Sequence, residues 1–255
     1  MSFSYYFLIS EEFVSFYTDL EGEIQNKDTL FFSSCQQELQ KEELNDFIKK
    51  LELDFSQCKQ ILVSYYSGIN VLMPSSAFDI NQINSYFSFC FENPPLKEDL
   101  DFNRLYLSSI VNVFYLPNWI KKFWILRFSK VQIKHFTSVQ INGIASATLF
   151  GKHLHLSIFE NQIHLLMYNQ QEIVFQNSFD FQTAEDIVYY LSFCIEQEGL
   201  SLEKKIRLFY YNYNFSQKEL LQNIQEKCAF FKLFETAQWK DSSIHHINYL
   251  QHCVS

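Results

Sequence analysis

The sequence predicts an α/β protein built by duplication, in two consecutive halves of one element order: strand, strand, strand, helix, strand, helix. Three observations predict it. Apolar and polar residues alternate on either side of a short polar turn in two places, over residues 6–17 around Glu11–Glu12 and over residues 153–168 around Glu160–Asn161. Each alternation is the mark of a β-hairpin. Each hairpin leads, after one more strand-like run, to a segment with helical apolar spacing. Each helix is followed by a closely matching strand, Lys59–Tyr66 and Lys204–Tyr211. The two halves are offset by 150 residues at the hairpins (Phe13 against Ile163), 147 at the helices (Leu44 against Leu191) and 145 at these strands (Lys59 against Lys204). Single matches of this kind are common; their shared order carries the inference.

The elements follow in turn. After the first hairpin the turn "DLEG" precedes a strand ending "TLFFS"; after the second, "NQQ" precedes one ending "NSFDF". Leu44, Phe47, Ile48 and Leu51 then share one helical face, as do Ile187, Val188, Leu191, Cys194 and Ile195. Thr183 and Asp186 have capping-box spacing, which makes Thr183 the expected N-cap. A further helix is expected from near Ser76, with Asp79, Ile80, Ile83 and Phe87, and another from near Ser216, with Glu219, Leu220, Leu221, Ile224 and Cys228. Residues at about 93–150 are expected to be an insertion. It starts with the loop "NPPLKEDLD", then the strand-like "NRLYLSSIVNVFYLP", a short helix "NWIKKFWILRF", a strand "KVQIKHF" and a helix "TSVQINGIASATLF". The expected division is 1–150, a first half with its insertion, and 151–255, the second half.

Composition restricts function. There are five glycines in 255 residues, little material for phosphate-cradling loops, where backbone amides must approach an anion closely. The formal net charge of −9 argues against a nucleic-acid partner. Six cysteines, Cys35, Cys58, Cys90, Cys194, Cys228 and Cys253, include no C-x-x-C pair and suggest reduced thiols. The N-terminal "MSFSYYFLISEEF" lacks the basic leader of a signal peptide. The apolar run "IVNVFYLPNWIKKFWILRF" is interrupted by Asn112, Pro117, Asn118, Lys121 and Lys122, so no membrane span is expected. The expected location is the cytoplasm.

The paired halves, the insertion in the first, and three short stretches together carry a family resemblance. The segments "VFYLPNWIKKF" and "VQIKHFTS" resemble actin-like proteins of pilus-assembly and type II secretion machineries. The segment "FDFQTAEDIVYYLSF" resembles an uncharacterised bacterial domain-of-unknown-function family with an actin-like ATPase fold. The resemblance implies a duplicated actin-like, ribonuclease H-like fold with two mixed sheets and helices. It also implies a nucleotide cleft at the hairpin turns, placing Ser10, Glu11 and Glu12 in one turn and Phe159, Glu160 and Asn161 in the other. Active members carry an Asp-x-Gly-type turn at these places. Here "LISEEF" and "LSIFEN" have neither Asp nor Gly, so the phosphate contacts and a usual magnesium tether are lost. ATP and magnesium are allowed by the fold and unsupported by the motifs, so no cofactor is expected.

No catalytic residue is predicted, because no G-x-S-x-G, G-x-x-x-x-G-K or G-x-G-x-x-G occurs. With the turn at Glu160–Asn161, Ser157 faces His164, and His153 and His155 share that face by the two-residue period. Three imidazoles on one face can hold zinc; the alternative is three ordinary, partly buried polar positions. His245–His246 reads as part of a polar tail. The expected function is a degenerate actin-like module that binds a protein partner or acts as a scaffold, with room for a membrane-associated partner. The alternatives are a nucleotide-dependent ATPase or kinase with non-standard phosphate loops, and a metal enzyme using the histidine face.

Overall fold

A computed structural model of the chain describes residues 3–20, 23–54, 58–105, 108–147, 149–197, 206–213, 218–230, 236–240 and 242–252. The chain divides into two compact units, Met1–Ile144 with His246–Ser255, and Ala145–His245. The sequence-based division at 150/151 differs from this in where it breaks and in leaving residues 246–255 with the second half.

In the first unit, β1 (Phe3–Ile9), β2 (Phe13–Leu20) and β3 (Glu23–Phe31) form an antiparallel meander. α1 (Gln37–Lys50) follows, and β4 (Cys58–Tyr65) returns parallel to β1. Next come β5 (Asn70–Pro74), α2 (Ile83–Cys90), β6 (Leu100–Leu105) and β7 (Ile110–Tyr115), whose strands make a separate antiparallel sheet in the order β5-β7-β6. α3 (Asn118–Arg127), β8 (Val131–His135) and α4 (Phe136–Ser146) complete the run, and the main sheet has the order β3-β2-β1-β4-β8. The second unit repeats this plan. β9 (Lys152–Ile158), β10 (Gln162–Asn169) and β11 (Glu172–Asp180) form the meander, followed by α5 (Ala184–Gln197) and β12 (Arg207–Asn212). α6 (Lys218–Phe230) and β13 (Thr236–Lys240) follow, with sheet order β11-β10-β9-β12-β13, and α7 (Ser242–His252) comes last in the chain, grouped from His246 onward with the first unit.

Three backbone hydrogen bonds recur in both units and fix their correspondence. Ser10 N–H donates to the Phe13 carbonyl as Phe159 N–H does to Gln162; Phe32 N–H donates to Glu12 as Phe181 N–H does to Asn161; Tyr66 N–H donates to Ile9 as Tyr213 N–H does to Ile158. Ser10 thus matches Phe159, an offset of 149, and Tyr66 matches Tyr213, an offset of 147. α1 and α5, 14 residues each, are also offset by 147. The expected offsets of 150 and 145 are corrected accordingly. At the strands the slip is two, which keeps every side chain on its face, so alternation alone does not detect it; at the hairpins it is one.

The insertion is β5, α2, β6 and β7, between β4 and α3, and not the expected 93–150. β8 and α4 lie in that range but hold the places of β13 and α7 in the repeated plan. α2 was expected to correspond to the helix near Ser216. Its Ile83 and Phe87 instead pack with Leu100, Val111 and Val113 on the small sheet. α6 packs Leu220, Ile224 and Cys228 into the second unit's main core, as α3 packs Ile120, Phe123 and Trp124 into the first. α2 also starts later than expected, after 3-10 turns at Ser75–Ala77 and Ile80–Gln82, with Asp79 capping the second by accepting from Asn81 N–H at 2.9 Å. Ser216 lies outside the described residues.

Local signals are realised where side chains satisfy backbone ends. Thr183 Oγ1 accepts from Asp186 N–H at 3.3 Å while Asp186 Oδ2 accepts from Gln182 and Thr183 N–H at 3.0 and 2.9 Å, the expected capping box. Those donors hold the Asp186 carboxyl below its usual range, the Gln182 amide most of all. α4 is buried almost all round, and at Gly143 an added Cβ would lie 2.0 Å from Cγ of Tyr249. Only glycine lets α7's aromatic ring lie that close to α4. Gly143→Ala should therefore lower the thermal midpoint, by an overpacking cost of about 1–3 kcal/mol. In a double-mutant cycle with Tyr249→Ala, the two effects should be clearly non-additive.

Candidate functional site

The first hairpin turn is closed by its own serine. Ser10 is buried, and its Oγ accepts from Glu12 N–H at 3.1 Å and from Phe13 N–H at 3.2 Å. In a phosphate-binding turn those amides point at the ligand; here a side chain has taken them. Glu11 and Glu12 follow at the tip, Glu11 exposed and Glu12 half-buried. In the second unit the matching residue is Phe159, 1% exposed and stacked on Tyr213 with ring centroids 5.0 Å apart. An apolar ring fills the position that a polar contact to phosphate would need, while Glu160 and Asn161 are exposed beyond it. Neither turn has a residue with positive φ; among the described residues that conformation occurs at Glu52, Ser109, Gln170 and Gly151. The hairpins therefore close without glycine.

Beside the first turn, within the first unit, lies a cavity of about 780 Å³. Its wall includes Glu11, Tyr65 at the end of β4, Tyr115 at the end of β7, and Asp99 just before β6. Tyr65 is fully buried, and its hydroxyl has no hydrogen-bond partner among the described residues. Burial pushes the Tyr65 phenol well above its usual value, and Glu11, Tyr115 and Asp99 push it further. Burial raises Tyr115 too, with Glu11 and Asp99 adding to it. The Glu11 carboxyl is open to water yet set in the concave wall, and desolvation raises its pKa. Asp99 also caps a helix, its Oδ1 accepting from Asn118 N–H at 2.7 Å, at the start of α3. Sequence reasoning missed Tyr65, Asp99 and Tyr115. They are far from Glu11 along the chain, and only the pairing of β4 with β1 and of β7 with its sheet gathers them.

The histidine face folds as expected, with His164 opposite Ser157 in the ladder and His153 and His155 on the same face. All three are buried. They do not converge. His153 Nδ1 and His155 Nε2 bond each other at 2.9 Å, and His155 Nδ1 meets the Tyr211 hydroxyl at 2.9 Å. His164 Nδ1 turns instead to Ser178 Oγ on β11, at 3.2 Å. Among the described residues, no group of three or more His, Cys, Asp or Glu is placed to hold a metal ion. The rings are also packed as aromatics, His153 on Tyr168 and His155 on Phe209, each pair 4.9 Å between centroids.

His245–His246 is not a tail. Both lie in α7, where His246 is buried, 2.7 Å from Ser64 Oγ and stacked on Phe136 at 4.2 Å. A second buried polar cluster, also missed, ties the insertion to β8. Asn70 donates to Asn112 Oδ1 at 3.0 Å, Asn112 Nδ2 lies 3.0 Å from His135 Nδ1 and donates to Ser138 Oγ at 2.9 Å, and His135 N–H donates to Asn103 Oδ1 at 2.7 Å. The cluster is structural: its polar groups satisfy one another in the interior.

With two repeated five-stranded sheets, an inserted sheet in the first unit and hairpin turns at the strand ends, the molecule has the actin-like ATPase fold. It is similar to a Bacteroides thetaiotaomicron protein of actin-like ATPase fold and unknown function, with a TM-score of 0.80 and 15% identity over 98% of this chain and 96% of that one. It is also similar to the PilM–PilN type IV pilus biogenesis complex, with a TM-score of 0.55 and 10% identity over 92% of this chain and 87% of that one. No curated protein matches the sequence. The chain belongs to a family of proteins of unknown function, DUF3822, whose model matches residues 22–228.

Burial lowers His164 to about 3 and His153 to about 4, the latter helped by Arg207, and lowers His155 well below its usual value. In the unfolded chain these groups titrate near 6.5. The unfolded state therefore takes up protons first, so stability is full above about pH 6.5 and falls as pH drops toward 3–4. In urea unfolding between pH 7 and pH 4, His164→Asn should lose stability less steeply than the native chain, by about one proton.

Proposed function

We propose that this protein is a degenerate actin-like module that works by binding another protein, without nucleotide hydrolysis. The single observation that carries this reading is the occupation of the Glu12 and Phe13 amides by Ser10 Oγ. A turn whose donors are already satisfied offers an anion little. Supporting it, Phe159 fills the corresponding position in the second unit. A protein–protein role is consistent with the similarity to PilM–PilN, itself a complex of two proteins. A net charge of −9 disfavours a nucleic-acid partner. Among the described residues no helix is long and apolar enough to cross a membrane. None of the described cysteines is in a disulfide, and Cys35 and Cys90 are exposed. These suit a reducing compartment, and we place the protein in the cytoplasm.

The test is thermal unfolding with nucleotide. A ligand with a Kd of about 10 μM, present at ~1 mM, adds about 2.7 kcal/mol to the native state, a shift of several degrees for a small domain. We expect no shift with ATP, ADP or GTP plus magnesium. A magnesium-dependent shift of that size would overturn the proposal.

A further inference from the structure

Resting on the protein-binding reading, we infer that the outer face of α5 docks a helix of the partner protein, in which apolar side chains are interspersed with lysines or arginines. The duplication supplies the argument. α1 and α5 hold the same place in their units, 14 residues each at an offset of 147. Both bury one face, with Leu44 and Leu191 at equivalent positions. Their outer faces differ. On α1, Glu42 and Asp46 are exposed and Glu43 is half-buried, and the surface is laced by the ion pairs Lys41–Glu38 and Lys49–Asp46, at 2.7 and 3.0 Å. On α5 the positions of Glu42, Glu43 and Asp46 carry Tyr189, Tyr190 and Phe193. Tyr189 is 63% exposed and Phe193 37%. The fold accepts carboxylates here in the first unit, so it does not require rings in the second. Large exposed rings that the fold does not require mark a contact surface. They form one stripe. Tyr189 lies 6.2 Å from Phe193 and 5.5 Å from Tyr190, which stacks on Phe179 of β11 at 4.3 Å. Phe179 and Tyr190 pack against the core, which holds the stripe in place.

Charge sets the partner. Neither α5 nor β11 contains a lysine or arginine. Asp186 lies one turn before Tyr189 and Tyr190, Glu196 one turn after Phe193, and Asp180 directly follows Phe179. Glu185 is matched by Lys227 of α6 at 2.7 Å. Asp180, Asp186 and Glu196 have no ion pair among the described residues. Rings bordered by carboxylates attract an ammonium or guanidinium group through the ring quadrupole and through opposite charge. A second copy of the chain would bring the same acidic face against this one, and a membrane surface carries anionic lipid, so both are repelled. A helix suits the surface better than a strand. β11 ends its sheet, but Asn177 Oδ1 already accepts the Ser178 N–H at 2.9 Å, as Asp28 Oδ1 accepts that of Thr29 on β3, so an added strand would find that donor taken. From Asp186 to Glu196 the stripe is about 15 Å long, nearly three helical turns. The ridges of a partner helix can pack along that length.

The test selects helical peptides from a randomised library on the purified chain, then measures their binding by fluorescence anisotropy. We expect selected peptides to carry lysine or arginine among apolar residues and to bind more weakly as salt rises. Tyr189→Ala and Phe193→Ala should each weaken binding about 10-fold or more, a loss typical of an aromatic anchor. Glu196→Lys should weaken it several-fold. Glu42→Ala and Asp46→Ala, the matching changes on α1, should leave it as it is. Tyr189→Ala should also leave the thermal midpoint nearly unchanged, because its ring stands outside the core. A large fall would show that the ring is structural and overturn the inference. Peptides without a basic preference, or bound equally by the α5 and α1 variants, would sink this site while leaving the protein-binding reading intact. Selection of no peptide also overturns the inference. Self-association of the native chain that Tyr189→Ala abolishes would make a second copy the occupant, against the inference. The protein-binding reading itself fails with magnesium-dependent nucleotide binding, whatever the peptides do.

Discussion

The parallel pairing of a unit's first strand with its fourth is the constraint on which the rest of the structure depends. In the first unit β1 lies beside β4 from Ser4 against Gln60 to Ile9 against Tyr65, and the bond from Tyr66 N–H to the Ile9 carbonyl closes its end. In the second, β9 beside β12 ends with the same bond, from Tyr213 to Ile158. Parallel strands need a crossover, and α1 and α5 provide it, burying Leu44 and Leu191 at equivalent places. The hairpin turns are thereby held at the strand ends, where folds of this type present functional groups. What the turn can do then depends on which groups remain free, and in the first unit Ser10 leaves few.

The fold and the chemistry of its turns make separate demands on the sequence. Sheets, crossover helices and the insertion depend on buried apolar side chains, which the aromatic-rich sequence supplies throughout both cores. The phosphate turn depends on two or three backbone amides and the absence of a Cβ. Those requirements are separable, so substitutions at Ser10 and Phe159 alter the site without touching the cores. The cavity beside the first turn illustrates the consequence. Its wall brings Glu11, Tyr65, Asp99 and Tyr115 together beside a turn whose amides Ser10 already holds.

Most of the fold was legible because its signals are local. Alternation placed both hairpins and correctly put Ser157 opposite His164; the Thr183–Asp186 spacing marked a helix start that the structure realises. The misplaced insertion had a physical cause. α2 and α6 carry similar helical periodicity, which says which face is buried but not against which sheet. His246 read as tail because its partners, Ser64 and Phe136, are more than 100 residues away. In the candidate site, a serine two and three residues before the Glu12 and Phe13 amides was a readable signal for a local side-chain cap. The Tyr65 quartet had no such signal, since its members meet only through strand pairing.

The central claim is that the Glu12 and Phe13 amides are already satisfied by Ser10 and take no anion. It is tested most directly by amide resonances of the labelled full-length protein, followed while magnesium-ADP and then inorganic phosphate are titrated in. The account predicts that the Glu12 and Phe13 signals stay where they are at millimolar ligand. A saturable shift of both, at concentrations well below that, would contradict it.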